Sequence, residues 1–253
     1  MSSVNSIETT EDLFLTDKLL IRQPKKGFRA GTDSLLLSAA IPARAGDSTI
    51  ELGAGVGVVS LALAARVPNL DLTLVEIDAA AVSLGRHNIQ TNQGRGGVTP
   101  KAARVVHRDA MRSDLFKIGT LFDHSFCNPP FFDVAASRAS DHPRANSARR
   151  SSIPIASWVM AMVRWTKSNG SMTMICRARS TIEVLSALQR PAGAIELIPI
   201  LPQADQPAIN VIIRARKDRR AAFKVLPPLI VRDQNHKISP KIERIQRFGN
   251  DQL

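Results

Sequence analysis

The sequence predicts an α/β fold: a doubly wound, mostly parallel, seven-stranded sheet with helices on both faces and an antiparallel C-terminal strand. Three observations carry this. Short strand-like runs alternate with longer runs of helical spacing between residues 49 and 189, the pattern left by parallel strands joined through covering helices. The run 72–77 is apolar almost throughout, as a strand buried on both faces should be. The last two apolar runs, 194–201 and 209–215, are joined by a Pro-rich connection with no helix, which suits an antiparallel pair.

Taken in order, residues 1–17 read as a loose polar arm. Lys18–Arg22 and Phe28–Ala30 flank Pro24–Gly27 and predict a basic hairpin. Gly31-Thr32-Asp33 precedes a short helix over 34–41, with Thr32 or Asp33 as its cap and Pro42 at its end. Strand 49–52 leads to helix 58–67, which Pro68-Asn69 stops. Strand 72–77, helix 79–92 and a Gly-rich loop over 93–100 follow. Strands 104–108 and 122–127 come next, then a long polar, Arg-rich stretch over 133–152 without periodicity. A connection of that length is usually functional or disordered. Helix 153–167, strand 171–176 and helix 182–189 complete the alternation, and Leu226-Pro227-Pro228-Leu229 closes the unit. The expected organisation is an arm with basic hairpin over 1–27, the main domain over 28–230 and a basic tail over 231–253.

Composition narrows the function classes. Hydrophobic residues at 44% and charged residues at 22% fit a soluble globular chain. No apolar run approaches the roughly 20 residues that span a bilayer, and Met1–Thr10 lacks a secretory pattern. No membrane association and a cytoplasmic location are expected. The two cysteines, Cys127 and Cys176, lie in strand-like runs and read as buried thiols; the five histidines form no ligand pair, so no metal is expected. The net charge is +12. From Arg214 to Arg247 eleven Lys/Arg face three acids, a net of +8, and Arg22, Lys25, Lys26 and Arg29 add +4. Clusters of this kind attract polyanions. Basic segments 22–29, 138–150 and 214–247 are therefore candidate contacts to nucleic acid. Aromatics are scarce at 4%, with no Tyr, which disfavours a module built on stacked aromatic platforms. The oligomeric state is left open.

Chemistry concentrates after the strands. Glu51-Leu52-Gly53-Ala54-Gly55-Val56-Gly57 joins a strand to a helix, and its glycines let a bulky cofactor approach the backbone. The acid before the first glycine suits an amine better than a pyrophosphate. Glu76, 19 positions after Gly57, stands where a carboxylate can accept both hydroxyls of a ribose; Asp78 competes for that role. Asp109 fits either an adenine amino group or a local cap. Thr32 and Asp33 fit either the near wall of the same site or the helix cap. An amino-acid end, a ribose and an adenine together describe S-adenosylmethionine. After the fourth strand comes Asn128-Pro129-Pro130-Phe131. The Asn128 side-chain oxygen and the Pro129 carbonyl can grip the N–H groups of an amine, two prolines hold that backbone extended, and Phe131 can stack on a planar acceptor. All these residues fall at strand carboxyl ends, where open α/β sheets bind ligands.

These residues resemble the class I methyltransferases of exocyclic amines and glutamine amides, with their Rossmann-like sheet. Phe28-Arg29-Ala30-Gly31-Thr32-Asp33-Ser34, Arg144–Arg149 and Arg214–Ala221 with Leu226–Leu229 are similar to the bacterial tRNA-valine adenine-N6 group. The resemblance covers about residues 12–235. It implies that Gly53, Gly55, Gly57 and Glu76 hold S-adenosylmethionine, that Thr32 and Asp33 line it, that Asn128 to Phe131 are catalytic, and that RNA, tRNA first, is the partner. Phe131 stands where adenine-directed enzymes more often have Tyr, which keeps guanine-N2 rRNA methylation as an alternative; protein glutamine methylation is another, disfavoured by the basic charge. His124 and Ser125 interrupt a strand that is aliphatic in that group.

Overall fold

The computed structural model describes residues 8–27, 29–117, 119–130, 153–249 and 253. Phe28, Phe131 and the basic stretch 138–150 lie outside them. Among the described residues the sheet order is β10-β8-β9-β7-β6-β3-β4-β5, with β11 also on β8. The strands are β3 (Ser48–Leu52), β4 (Asp71–Glu76), β5 (Ala102–His107), β6 (Phe122–Cys127), β7 (Thr166–Arg177), β8 (Ala192–Leu201), β9 (Asn210–Lys217), β10 (Lys224–Val225) and β11 (Leu229–Ile230). Strand β9 runs antiparallel to both β7 and β8, while β3 to β7 pair in parallel. The seven strands expected are β3 to β9, and two short edge strands extend them.

The helices are α1 (Thr32–Ala40), α2 (Val58–Arg66), α3 (Ala79–Asn92), α4 (Ile155–Trp165), α5 (Thr181–Leu188) and α6 (Pro240–Phe248). Two buried clusters sandwich the sheet. Leu36 of α1, Leu61 of α2 and Ile242 of α6 meet Leu72 and Leu74 in one. Trp158 of α4 and Val184 of α5 meet Ile50 and Leu52 in the other. Chain order β3→β4→β5 runs outward one way and β6→β7 the other, so the direction of winding reverses between β3 and β6. Among the described residues no helix is long and apolar enough to cross a membrane.

Three expectations are corrected. The hairpin pairs β1 (Thr9–Phe14) with β2 (Leu19–Pro24), not 18–22 with 28–30. Its turn carries no glycine; Leu15, Thr16 and Asp17 all take positive φ, so the usual turn signature is absent. Tertiary bonds hold it instead: the Asn92 and Asn88 side chains bond the backbone of Leu20 and Arg22, and Thr16 Oγ1 donates to the Arg247 carbonyl. Second, the helix drawn over 153–167 stops at Trp165, because Thr166 already pairs with Phe122. Third, neither Thr32 nor Asp33 caps α1: its N-cap is Gly31, with no side-chain bond. The basic tail carries a helix. Helix α6 buries Ile242 and Ile245, a transfer term of roughly 3–6 kcal/mol for two such side chains. Arg214 Nη1 donates to the Leu253 and Ala40 carbonyls.

Candidate active site

The glycine turn after β3 is shaped by its neighbours. Gly53 has φ +71 and a Cβ there would stand 2.9 Å from the Trp158 ring; Gly57 has φ +88 and a Cβ would stand 2.8 Å from Leu74 Cδ2. Both positions exclude a side chain on conformation and space together. A Cβ on Gly55 would meet nothing within 4 Å, so the middle of the turn faces open space.

Two carboxylates organise this turn. Glu76, 2% exposed, ends β4. Its Oε2 accepts from the Gly55 N–H at 2.8 Å, and its Oε1 from the N–H groups of Ile77 and Asp78 at 2.8 Å each. It is therefore a buried group facing the glycine turn rather than a solvated strand end. Asp78 Oδ1 caps α3 by accepting from Ala80 and Ala81, which favours Glu76 for the ribose role. Glu51, also 2% exposed, accepts from the Ser60 N–H and hydroxyl. Burial pushes its carboxyl up to about 8, and the nearby Glu76 charge adds to this against the Ser60 bonds. At neutral pH Glu51 retains a proton; a cation arriving beside it would favour the charged form. Asp109, just past β5, accepts from the Met111 N–H at 2.9 Å and so makes a local turn.

Across the reversal point, β3 and β6 are direct neighbours, with Leu52 opposite Cys127. Gly53 and Asn128 therefore leave adjacent strands, about 4.8 Å apart in an ideal sheet. Among the described residues the Asn128 side-chain oxygen is buried and has no hydrogen-bond partner. Buried polar atoms are nearly always paired, and a buried acceptor left open is what an incoming N–H requires. Pro129 is buried behind it. Phe131 lies outside the described residues. Cys127 and Cys176 are buried, as expected. Burial pushes the Cys176 thiol up to about 12 and raises Cys127 as well, so neither is a nucleophile here.

Thr32 and Asp33 bond to residues outside the glycine turn. Thr32 Oγ1 accepts from Gln246 of α6 at 2.7 Å. Asp33 Oδ2 accepts from Asn210 Nδ2 at 3.0 Å, and Asn210 Oδ1 accepts from Arg177 at 3.2 Å. Burial raises the Asp33 carboxyl, with Asn210 and Arg177 opposing. These residues join α1 to the β7–β9 side of the edge, beyond Asn128 as seen from the glycine turn. Asn210 and Arg177 escaped the sequence reading because Asn210 lies 177 positions from Asp33 and 33 from Arg177; a polar residue opening an apolar strand was the signal available.

The basic segments are partly neutralised. Arg22 pairs with Glu11, Lys25 with Glu8 and Arg29 with Asp12 across the hairpin; Arg214 pairs with Glu196 and Arg247 with Glu243. Arg219, Arg220, Lys224, Lys237, Lys241 and Arg244 are exposed.

Comparison with known proteins agrees with the motif reading. Residues 26–142 match the family model described as Methyltransferase small domain. The tRNA1(Val) (adenine(37)-N6)-methyltransferase of Shewanella sediminis is 26% identical over 157 residues, 62% of this chain and 63% of that protein. The alignment thus spans less than two thirds of the relative. Among solved structures, a predicted O-methyltransferase from Agrobacterium tumefaciens superposes with TM-score 0.68 at 21% identity, covering 85% of this chain and 96% of that one. A 16S rRNA N2 G1207 methyltransferase from T. thermophilus, solved with AdoMet and guanosine, gives TM-score 0.56 at 15% identity over 85% and 52%. The fold expected from the alternation of elements is that of these proteins.

Proposed function

We propose that this chain is an S-adenosylmethionine-dependent N-methyltransferase acting on an exocyclic amino group of a base in RNA, adenine N6 in tRNA first. The observation that carries the reading is the buried Asn128 oxygen, unpartnered among the described residues, one strand away from the open space at Gly55. The similarity to tRNA adenine-N6 methyltransferases supports the choice of base. The cofactor would supply an electrophilic methyl group on a sulfonium. The glycine turn and Glu76 would hold its ribose side, and Glu51 its amino group. Asn128 Oδ1 and the Pro129 carbonyl would accept the two N–H bonds of the target amine. Gripping both aligns the nitrogen lone pair with the methyl, and orientation of this kind lowers a barrier without a general base. As the N–C bond formed, the S–C bond would break to leave a neutral thioether, and the proton of the positively charged, acidic nitrogen would then pass to solvent water. A base in RNA must first leave its stack, and Phe131 is the residue proposed to receive it. The exposed arginines and lysines of 214–247, with 22–29 and 138–150, are proposed to add sequence-independent attraction to the phosphate backbone. The reading carries with it a cytoplasmic location, where tRNA is found.

The test is direct. The full chain is incubated with methyl-labelled cofactor and total RNA from a strain lacking it, the RNA is digested, and the labelled nucleoside is identified. N6-methyladenosine is the expected product. Label in N2-methylguanosine would transfer the site to the guanine alternative, label on glutamine in added protein would transfer it to that class, and no label on any of these would remove the proposal.

A further inference from the structure

The carboxyl edge of the sheet is asymmetric in charge. On the cofactor half its buried and half-buried charges are carboxylates: Glu51, Glu76, Asp78 and Asp109. On the acceptor half, β7 ends at Arg177, followed two residues later by exposed Arg179. Cys127 of β6 lies opposite Met174 of β7. Asn128 is one residue past that pairing and Arg177 three. Two residues of rise and one strand spacing separate them, about 8 Å between backbones in an ideal sheet.

Arg177 is held in place by an unusually specific chain. Asn210, opposite Arg177 in the β7–β9 register, is only 2% exposed. Its amide orientation follows from its partners: only Nδ2 can donate to the Asp33 carboxylate, and only Oδ1 can accept from the guanidinium. A buried amide bonded on both ends tolerates no rotation without leaving a polar atom unsatisfied. The backbone is tied too, since the Ala178 N–H donates to the Ile209 carbonyl at 3.0 Å. A guanidinium carries five donors in a planar fork that matches phosphate oxygens.

We infer that Arg177, aligned by Asn210 and Asp33, binds a phosphodiester of the RNA strand next to the base gripped at Asn128. Asp33 then belongs to the acceptor half of the site, not to the cofactor pocket. The inference rests on the proposed RNA substrate and gives it a defined contact beside the reacting base. Arg177 is a binding residue, and Asn210 and Asp33 act through it.

The test uses the full chain with a labelled anticodon stem-loop. Binding is followed by fluorescence anisotropy across a salt series, cofactor affinity by calorimetry, and kcat and KM by methyl transfer. Arg177→Ala should raise KM for RNA on the order of tenfold, lower the salt slope by about one, and leave cofactor affinity unchanged. Arg177→Lys should retain the slope with a smaller rise in KM, and it stands in if the alanine variant fails to fold. Asn210→Ala should raise KM while keeping the slope, since the charge remains. An unchanged slope and KM in Arg177→Ala overturns the inference. So does a loss of cofactor affinity in that variant, which would return this cluster to the cofactor side. Wild-type protein that binds the stem-loop but transfers no methyl to any RNA overturns the proposed function while the salt slope still decides the role of Arg177. Absence of RNA binding by the wild type overturns both.

Discussion

The two ends of strand β6 are built on opposite principles. At its amino end, Asp123 accepts from the Ser48 N–H and hydroxyl and from Lys167 Nζ. Next to it, His124 bonds Asp47 Oδ2 through Nε2 at 2.8 Å and Ser171 Oγ through Nδ1 at 2.6 Å. Ser125 bonds the Thr166 hydroxyl. Three residues on, the Asn128 oxygen is buried with nothing to bond among the described residues. Polar groups at the first end are satisfied and inert, although they replace the aliphatic residues expected there. The polar group at the other end is unsatisfied, at the point where the winding of the sheet reverses. An orphaned buried acceptor costs about 1–3 kcal/mol. The buried hydroxyls of Thr73 and Thr173 also lack partners among the described residues; what sets Asn128 apart is its place at the carboxyl edge beside the glycine turn.

The largest expected effect lies at the unsatisfied end. Asn128→Ala should cut turnover by roughly 100-fold or more, the scale of losing one preorganised polar contact to the reacting group. Thermal melting should not fall, because the removed oxygen has no partner to lose. Normal turnover would break the contrast by showing the orphan to be idle.

A middle effect is expected at the glycine turn. Glu76→Ala should weaken cofactor binding on the order of tenfold or more by calorimetry, since it removes the acceptor and also frees the Gly55 N–H. The pH dependence sharpens this. The Glu51 carboxyl sits at about 8 without ligand, and a bound ammonium would lower it. Affinity should therefore rise with pH up to about 8 and level off above. Glu51→Gln should flatten that rise, and an unaltered profile in the variant would detach Glu51 from the cofactor amine.

The smallest effect on activity is expected at the satisfied end. Burial lowers the His124 imidazole below its ordinary value, with the Asp47 bond opposing. The unfolded chain, with imidazole near about 6.5, then binds the proton more readily than the folded one. Stability should be intact above about pH 6.5 and lost as pH falls below it. Denaturant titrations at neutral and mildly acidic pH check this. His124→Leu should remove that part of the slope while turnover per folded molecule stays within about twofold. A large loss of turnover at neutral pH would make this end functional after all.

Much of this was legible along the chain because its causes are local. A glycine turn after a short strand, an acid at the end of the next strand and Asn-Pro-Pro after a third each show in a few adjacent residues. The alternation of periods two and 3.6 places all of them on one edge. What was not legible depended on distant partners. The turn at 15–17 lacks turn residues because Asn88, Asn92 and Arg247 hold it from outside. The basic segments looked like free charge because Glu11, Asp12 and Glu196 are far away in sequence.

The amino-acid order alone determined the element types, the parallel sheet and the residues that face its carboxyl edge, since backbone periodicity and turn chemistry act over a few residues. Tertiary structure decided which of those polar groups meet a partner. Only packing could leave the Asn128 oxygen open, close Asp33 onto Asn210 and Arg177, and fold the charged C-terminus over α1. Satisfaction of a hydrogen bond is a property of two places brought together, and sequence distance does not report it.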